Sequence, residues 1–117
     1  MIQITTIEIY FSKLKMSGHL FAGSYVNGTL AIVAGYRGMI GTVSVNLDEL
    51  ADDLEPDEFF VRLYGQGDYV NDECFATGLF DIVGEPFNTV EAHPEAKFQK
   101  WRLLKYDDLL AEAVEDE

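Results

Sequence analysis

Thr42-Val43-Ser44-Val45-Asn46-Leu47, then Asp48-Glu49-Leu50-Ala51-Asp52-Asp53-Leu54-Glu55-Pro56-Asp57-Glu58, then Phe59-Phe60-Val61-Arg62-Leu63 run on without a break. The first segment alternates small polar and β-branched residues, the period-two pattern of a strand with one buried face. The last has the composition of a half-buried strand. The segment between holds seven acids and no base. With Asn46 as N-cap and Glu49 three residues on, the spacing predicts a capping-box variant at the start of a short helix. Leu47, Leu50 and Leu54 then share one face, with Asp48 and Asp52, and Glu49 and Asp53, paired outside at four-residue spacing. Pro56 ends any such helix. Like charges at that spacing oppose a helix this short, so an irregular acidic loop is the competing reading.

On the N-terminal side, Ile2 and Ile4 alternate with Gln3 and Thr5, and the phase shifts to Ile7, Ile9 and Phe11, which predicts a bulge or bend. Lys13 to Gly18 reads as a loop or single helical turn, and His19 to Val26 as the next strand. Asn27-Gly28, between Tyr25-Val26 and Thr29 to Ala34, predicts a hairpin with a type I′ turn, because both residues tolerate positive φ. Gly35 to Gly41 reads as a turn before the strand at Thr42. Its glycines are spaced by three, which is not the dinucleotide-binding pattern. Arg37 at its tip and Tyr36 beside it are candidate contact residues.

On the C-terminal side, Tyr64 to Asp68 reads as a connection and Tyr69 to Thr77 as a short helix. Val70, Cys74 and Thr77 fall near one side of it, and Gly78 stands where a left-handed residue closes a helix. Leu79 to Val83, Thr89 to Ala92 and Phe98 to Leu104 read as strands, the last carrying the only tryptophan, Trp101. Asp107 is placed to cap a final helix through Val114, with the last residues frayed by acids at the wrong end of the dipole. Five or six short strands and two or three short helices define an α+β fold on a mainly antiparallel sheet, in a single domain spanning residues 1–117. No connection offers the helix length that parallel crossovers need.

Charge narrows the function classes. Eight Lys plus Arg against 21 Asp plus Glu leave a net charge of −13. Such a chain repels phosphate backbones and anionic lipid, so neither direct nucleic-acid binding nor membrane association is expected. The first 46 residues carry one acid and three bases, so the acidity belongs to the later part of the chain. Cys74 is the only cysteine, which excludes an internal disulfide and fits a reducing compartment. The opening residues lack a basic region followed by an apolar run, and no apolar run approaches the ~20 residues of a membrane span. A cytoplasmic protein is expected.

No catalytic constellation is spelled out. His19 and His93 stand apart from one another and from Cys74, so neither a metal nor a cofactor is expected. Glu73 beside Cys74 disfavours its thiolate, which makes an inert buried thiol the expectation. A calcium loop needs a central glycine, and residues 48–58 contain none. A lysine-bearing phosphate loop and a glycine-flanked serine elbow are both missing from the sequence. The remaining chemistry is display of charge. Asp48, Glu49, Asp52, Asp53, Glu55, Asp57 and Glu58 are candidate contacts for a protein partner, such as a basic nucleic-acid-binding enzyme whose phosphate sites they would imitate. Tyr36, Tyr64, Tyr69 and Trp101 are candidate aromatic anchors. A merely solvated acidic face, a small enzyme whose site forms only on folding, and a subunit that dimerises through a sheet edge are the competing readings.

Gly41 to Leu47, Glu58 to Val61, Asn71-Asp72-Glu73, Ala76 to Phe80 and Gly84 together resemble a small family of proteins encoded on phages, plasmids and conjugative elements. The resemblance spans roughly residues 20–104. It implies a sheet with one helix before Gly78-Leu79, no catalytic residues to carry over, and a mobile-element setting in which small acidic proteins inhibit host defence.

Overall fold

The computed structural model describes residues 2–5, 8–11, 15–36, 39–63, 71–89 and 96–108. Their strands are β1 (Ile2–Gln3), β2 (Ile9–Phe11), β3 (Met16–Ser24), β4 (Leu30–Tyr36), β5 (Met39–Thr42), β6 (Ser44–Val45), β7 (Glu58–Arg62), β8 (Phe80–Ile82) and β9 (Phe98–Leu103). Every strand pairing is antiparallel. One sheet runs β1-β3-β4-β5, with β2 also on β3, and the other runs β6-β7-β9-β8. With short helical pieces at 48–53, 71–75 and 106–108, the fold is α+β. The strands outnumber the expected five or six because single segments break where the chain bends. Among the described residues no helix is long and apolar enough to cross a membrane.

The stretch from Thr42 is one such break. Instead of one strand from Thr42 to Asn46, β5 ends at Thr42, Val43 bends, and β6 begins the second sheet at Ser44. The corner stays bonded to β4. Val43 N–H donates to Ile32 O at 2.9 Å, and Ile32 N–H donates to Ser44 Oγ at 2.9 Å. A hydroxyl thus replaces the backbone acceptor lost when the chain leaves the sheet. Tyr25 Oη lies 2.7 Å from the same hydroxyl and ties the hairpin to the corner.

The phase shift near the N-terminus is a true interruption, since β1 and β2 occupy one edge of β3 in succession. Between them Leu20 N–H donates to Thr5 Oγ1 at 3.0 Å, again a side chain serving a ladder position. The strand β3 starts at Met16, earlier than expected, and ends at Ser24. Gly35 and Gly41 belong to paired strands, opposite Ile40 and Ala34, and not to a turn as expected; residues 37 and 38 lie outside the described residues.

The Asn27-Gly28 hairpin forms with a different turn. Gly28 N–H donates to Tyr25 O and Tyr25 N–H to Thr29 O, both at 2.9 Å, and Gly28 alone has positive φ, +86°. This is a three-residue loop in which a left-handed glycine follows the turn as a bulge. Asn27 keeps ordinary φ because its Oδ1 accepts from both the backbone N–H and the hydroxyl of Thr29. No atom lies within 4 Å of a Cβ built on Gly28. Gly28→Ala is therefore expected to cost about 1–2 kcal/mol from backbone strain alone, measured by urea unfolding.

The two sheets share one core. Leu20 and Ile32 from the first, and Val43 at the corner between them, meet Phe59, Val61, Trp101 and Leu103 from the second. Segment 58–61 is buried on both faces, not half-buried as its composition indicated. On the inner face Phe59 packs edge-on against Phe80, 5.5 Å between ring centroids, and against Trp101 at 6.3 Å. On the outer face Phe60 meets Phe87 at 5.6 Å, and Phe87 pairs its backbone with Phe98. Of the strand expected at Thr89 to Ala92, Thr89 is not in a strand, and residues 90–92 lie outside the described set; the bridge to β9 is made earlier, at Phe87. Gly78 ends the 71–75 helix region with φ +78°, and the earlier part of that expected helix lies outside the described residues. Tyr106, not Asp107, opens the last helical piece, after Lys105 at φ +60°.

Candidate acidic contact surface

Residues 48–53 form a short helix, as one of the two readings expected, but of the 3-10 type and not with the four-residue spacing on which the pairing of acids was read. Leu50 N–H donates to Leu47 O at 2.9 Å and Leu54 N–H to Ala51 O at 3.2 Å, both three residues back. Asn46 is not its cap. Leu47 occupies that position without a side-chain bond, and Asn46 Oδ1 instead accepts from Asn27 Nδ2 at 3.0 Å. Three residues per turn changes which acids align. Glu49 and Asp52 now share a row about 6 Å apart along the axis, and both are exposed. Leu47, Leu50, Ala51 and Leu54 are half-buried on the other rows.

Both ends of the segment are fastened by residues remote in sequence. At the start, Asn27 Nδ2 donates to Asp48 Oδ1 at 2.8 Å, tying the acid to the hairpin tip. At the end, Lys100 Nζ donates to Asp53 O at 2.8 Å. Glu58 is 3 % exposed, and its carboxylate accepts from Glu55 N–H and from Arg102 Nη2, both at 2.8 Å. Lys100 Nζ stands 3.9 Å from the same carboxylate, and Arg102 Nε stands 3.3 Å from Asp57 Oδ2. The seven acids therefore divide. Glu58 and Asp57 are fastenings, and Asp48 is held by a neutral amide. Glu49, Asp52, Asp53 and Glu55 are exposed, and among the described residues no base pairs with their carboxylates.

Of the other candidates, Tyr36 ends β4, while its side chain and all of Arg37 lie outside the described residues. Tyr64 and Tyr69 lie outside them as well. Trp101 is 3 % exposed and is a core residue, so it is not a surface anchor. Asn27, Lys100 and Arg102 are the residues that sequence reading missed. Asn27 was legible only as a turn former, and the two bases lie more than 40 positions from the acids they hold.

His19 Nδ1 lies 3.2 Å from both Thr5 O and Thr5 Oγ1, a fastening of β1 to β3; His93 is outside the described residues. Among the described residues no three His, Cys, Asp or Glu come together as a metal site. Cys74 is fully buried, and burial, with Glu73 adding its charge, pushes the thiol up to about 12. The folded thiol stays protonated above the unfolded pKa, so its contribution to stability is present below about pH 9 and falls as pH rises beyond it. At pH 8 alkylation by iodoacetamide is expected to proceed no faster than unfolding, checked by adding urea and following mass.

These features define a class, an α+β protein of two antiparallel sheets bearing an acidic segment fastened to the hairpin of one and to β9 of the other. Comparison with models of known protein families, with curated proteins and with solved structures finds no match.

Proposed function

We propose that the protein is a non-enzymatic, acidic binding module that presents carboxylates to a basic protein partner in the cytoplasm. The observation that carries this reading is the division of the acidic segment. Asp57 and Glu58 hold it in place, while Glu49, Asp52, Asp53 and Glu55 face water on a fixed backbone. A pre-positioned charged surface loses less conformational entropy on binding than a free loop and speeds capture of a complementary partner.

In this reading the partner is a basic nucleic-acid-binding enzyme. The ~6 Å between Glu49 and Asp52 is close to two phosphate steps of ~3.4 Å along one DNA strand. The resemblance to proteins of phages, plasmids and conjugative elements supplies the setting. The module would act there as an inhibitor of host defence, occupying the nucleic-acid channel of a restriction or RNA-guided enzyme.

The test is capture of partners from host lysate with the tagged full chain, followed by titration of the captured partner. Binding is expected to weaken steeply with salt. Replacing Glu49, Asp52, Asp53 and Glu55 together by their amides is expected to weaken it at least about tenfold without loss of fold. Affinity that is unchanged between low and high salt, or unchanged in the amide variant, overturns the reading.

A further inference from the structure

The acidic segment does not stop at its last exposed carboxylate. Glu55 and Pro56 form one wall of an open groove of about 600 Å³, with Asp57, Arg102 and residues 103–108 completing it. Lys105, at φ +60°, turns the chain back after β9, so Tyr106 follows directly onto the end of the sheet and packs against the core. Behind Tyr106, Pro56 and Leu103 a second, smaller cleft of about 130 Å³ opens, and these three residues line both spaces. Ile2, Ile4 and Leu30 complete its apolar wall.

We propose that this groove seats an extended basic segment of the protein partner, with one apolar side chain entering the cleft and an adjacent arginine or lysine lying among Glu55, Asp107 and Asp108. The inference rests on the binding reading above and adds the form in which the partner is recognised. Charge selects the occupant. Four acids and two bases line the groove, and Arg102 is already held by Asp57 at 3.3 Å and by buried Glu58 at 2.8 Å. Glu55, Asp107 and Asp108 are exposed and outnumber Lys105. A second copy of this chain, at net charge −13, and a phosphate backbone are both repelled. Size selects the rest. The cleft is smaller than the ~300 Å³ at which pockets for whole small molecules begin, and suits a single side chain. The Tyr106 ring, shared by both spaces, can pack against an apolar group on one side and a cation on the other.

The test uses the ¹⁵N-labelled full chain and two short peptides of equal charge, one alternating arginine with leucine and one alternating arginine with serine. The leucine peptide is expected to bind about tenfold more tightly, since burial of one aliphatic side chain carries at least that factor. Its amide shifts are expected at Glu55, Leu104, Lys105 and Tyr106. The combined Glu55→Gln, Asp107→Asn and Asp108→Asn variant changes only exposed side chains, and it is expected to weaken the leucine peptide about tenfold. If both peptides bind equally, with shifts confined to residues 48–53, the groove is overturned while the acidic contact surface stands. If neither peptide binds at low salt, both readings fall.

Discussion

Trp101→Ala is expected to lower the unfolding free energy by about 4 kcal/mol, in the range for truncating a fully packed aromatic. The ring is 3 % exposed and meets Phe59, Phe75 and Phe80 with centroids 6.3, 5.5 and 6.1 Å away. Its Nε1–H donates to Gln99 Oε1 at 3.0 Å, and Gln99 Nε2 donates on to Gly84 O. Truncation therefore leaves a cavity and an unpaired carbonyl of buried Gln99 together. A domain of this size holds roughly 5–15 kcal/mol in total, so the variant should melt 10 °C or more below the parent, by order of magnitude. Trp101→Phe keeps most of the ring contacts and is expected to cost about half as much. Urea unfolding followed by circular dichroism checks both, because the only tryptophan is the residue removed.

The consequence reaches the acidic surface through β9. Trp101 faces the core, and its neighbours Lys100 and Arg102 face the other side, where they hold Asp53 and Glu58. A slip of β9 by one residue would bury the two bases and expose the ring, so the tryptophan sets the register that positions the fastenings. An equal cost for Trp101→Phe and Trp101→Ala would show that the ring contacts carry nothing.

Glu58→Ala is the second large effect, with an expected cost of about 2–3 kcal/mol. Removing one partner from a buried ion pair generally costs about 3–5 kcal/mol. The lower figure applies here because the Arg102 side chain is 40 % exposed and keeps Asp57 at 3.3 Å. What remains is the loss of the acceptor for Glu55 N–H and of the link that closes the turn at residues 55–58. Glu58→Gln retains an acceptor and is expected to cost about 1–2 kcal/mol. Glu49→Gln, an exposed change in the same segment, is expected to stay within about 0.5 kcal/mol. Amide hydrogen exchange at Glu55 and Glu58 should accelerate in Glu58→Ala and not in Glu49→Gln. Equal stability of the two variants would show that Glu58 is a displayed charge like its neighbours.

That contrast marks where sequence reading stops. Asp53 and Glu58 are both acids in one run, and nothing in their neighbours separates the exposed one from the buried one. The separation comes from Lys100 and Arg102, brought beside them by the pairing of β7 with β9. Likewise, Thr42 to Asn46 carries a sound strand pattern, but alternation describes one sheet and says nothing about a strand that changes sheets at Val43. The capping expectation at Asn46 failed for a related reason. Its side chain is engaged instead by Asn27, 19 positions away, on a hairpin whose turn needed only one left-handed residue.

The sequence by itself determined the local quantities: the antiparallel α+β character, the hairpin at Asn27-Gly28, the break between Gln3 and Ile9, the left-handed Gly78 and the concentration of charge after residue 46. Each depends on residues a few positions apart, whose propensities and periodicity act before the chain is compact. Only the tertiary structure decided that Glu58 and Asp57 are fastenings, that Trp101 is core, and that Glu49 and Asp52 form the exposed row of residues 48–58. Those outcomes depend on bonds spanning 44 and 47 residues and on a helix type selected by packing, and no local pattern encodes them.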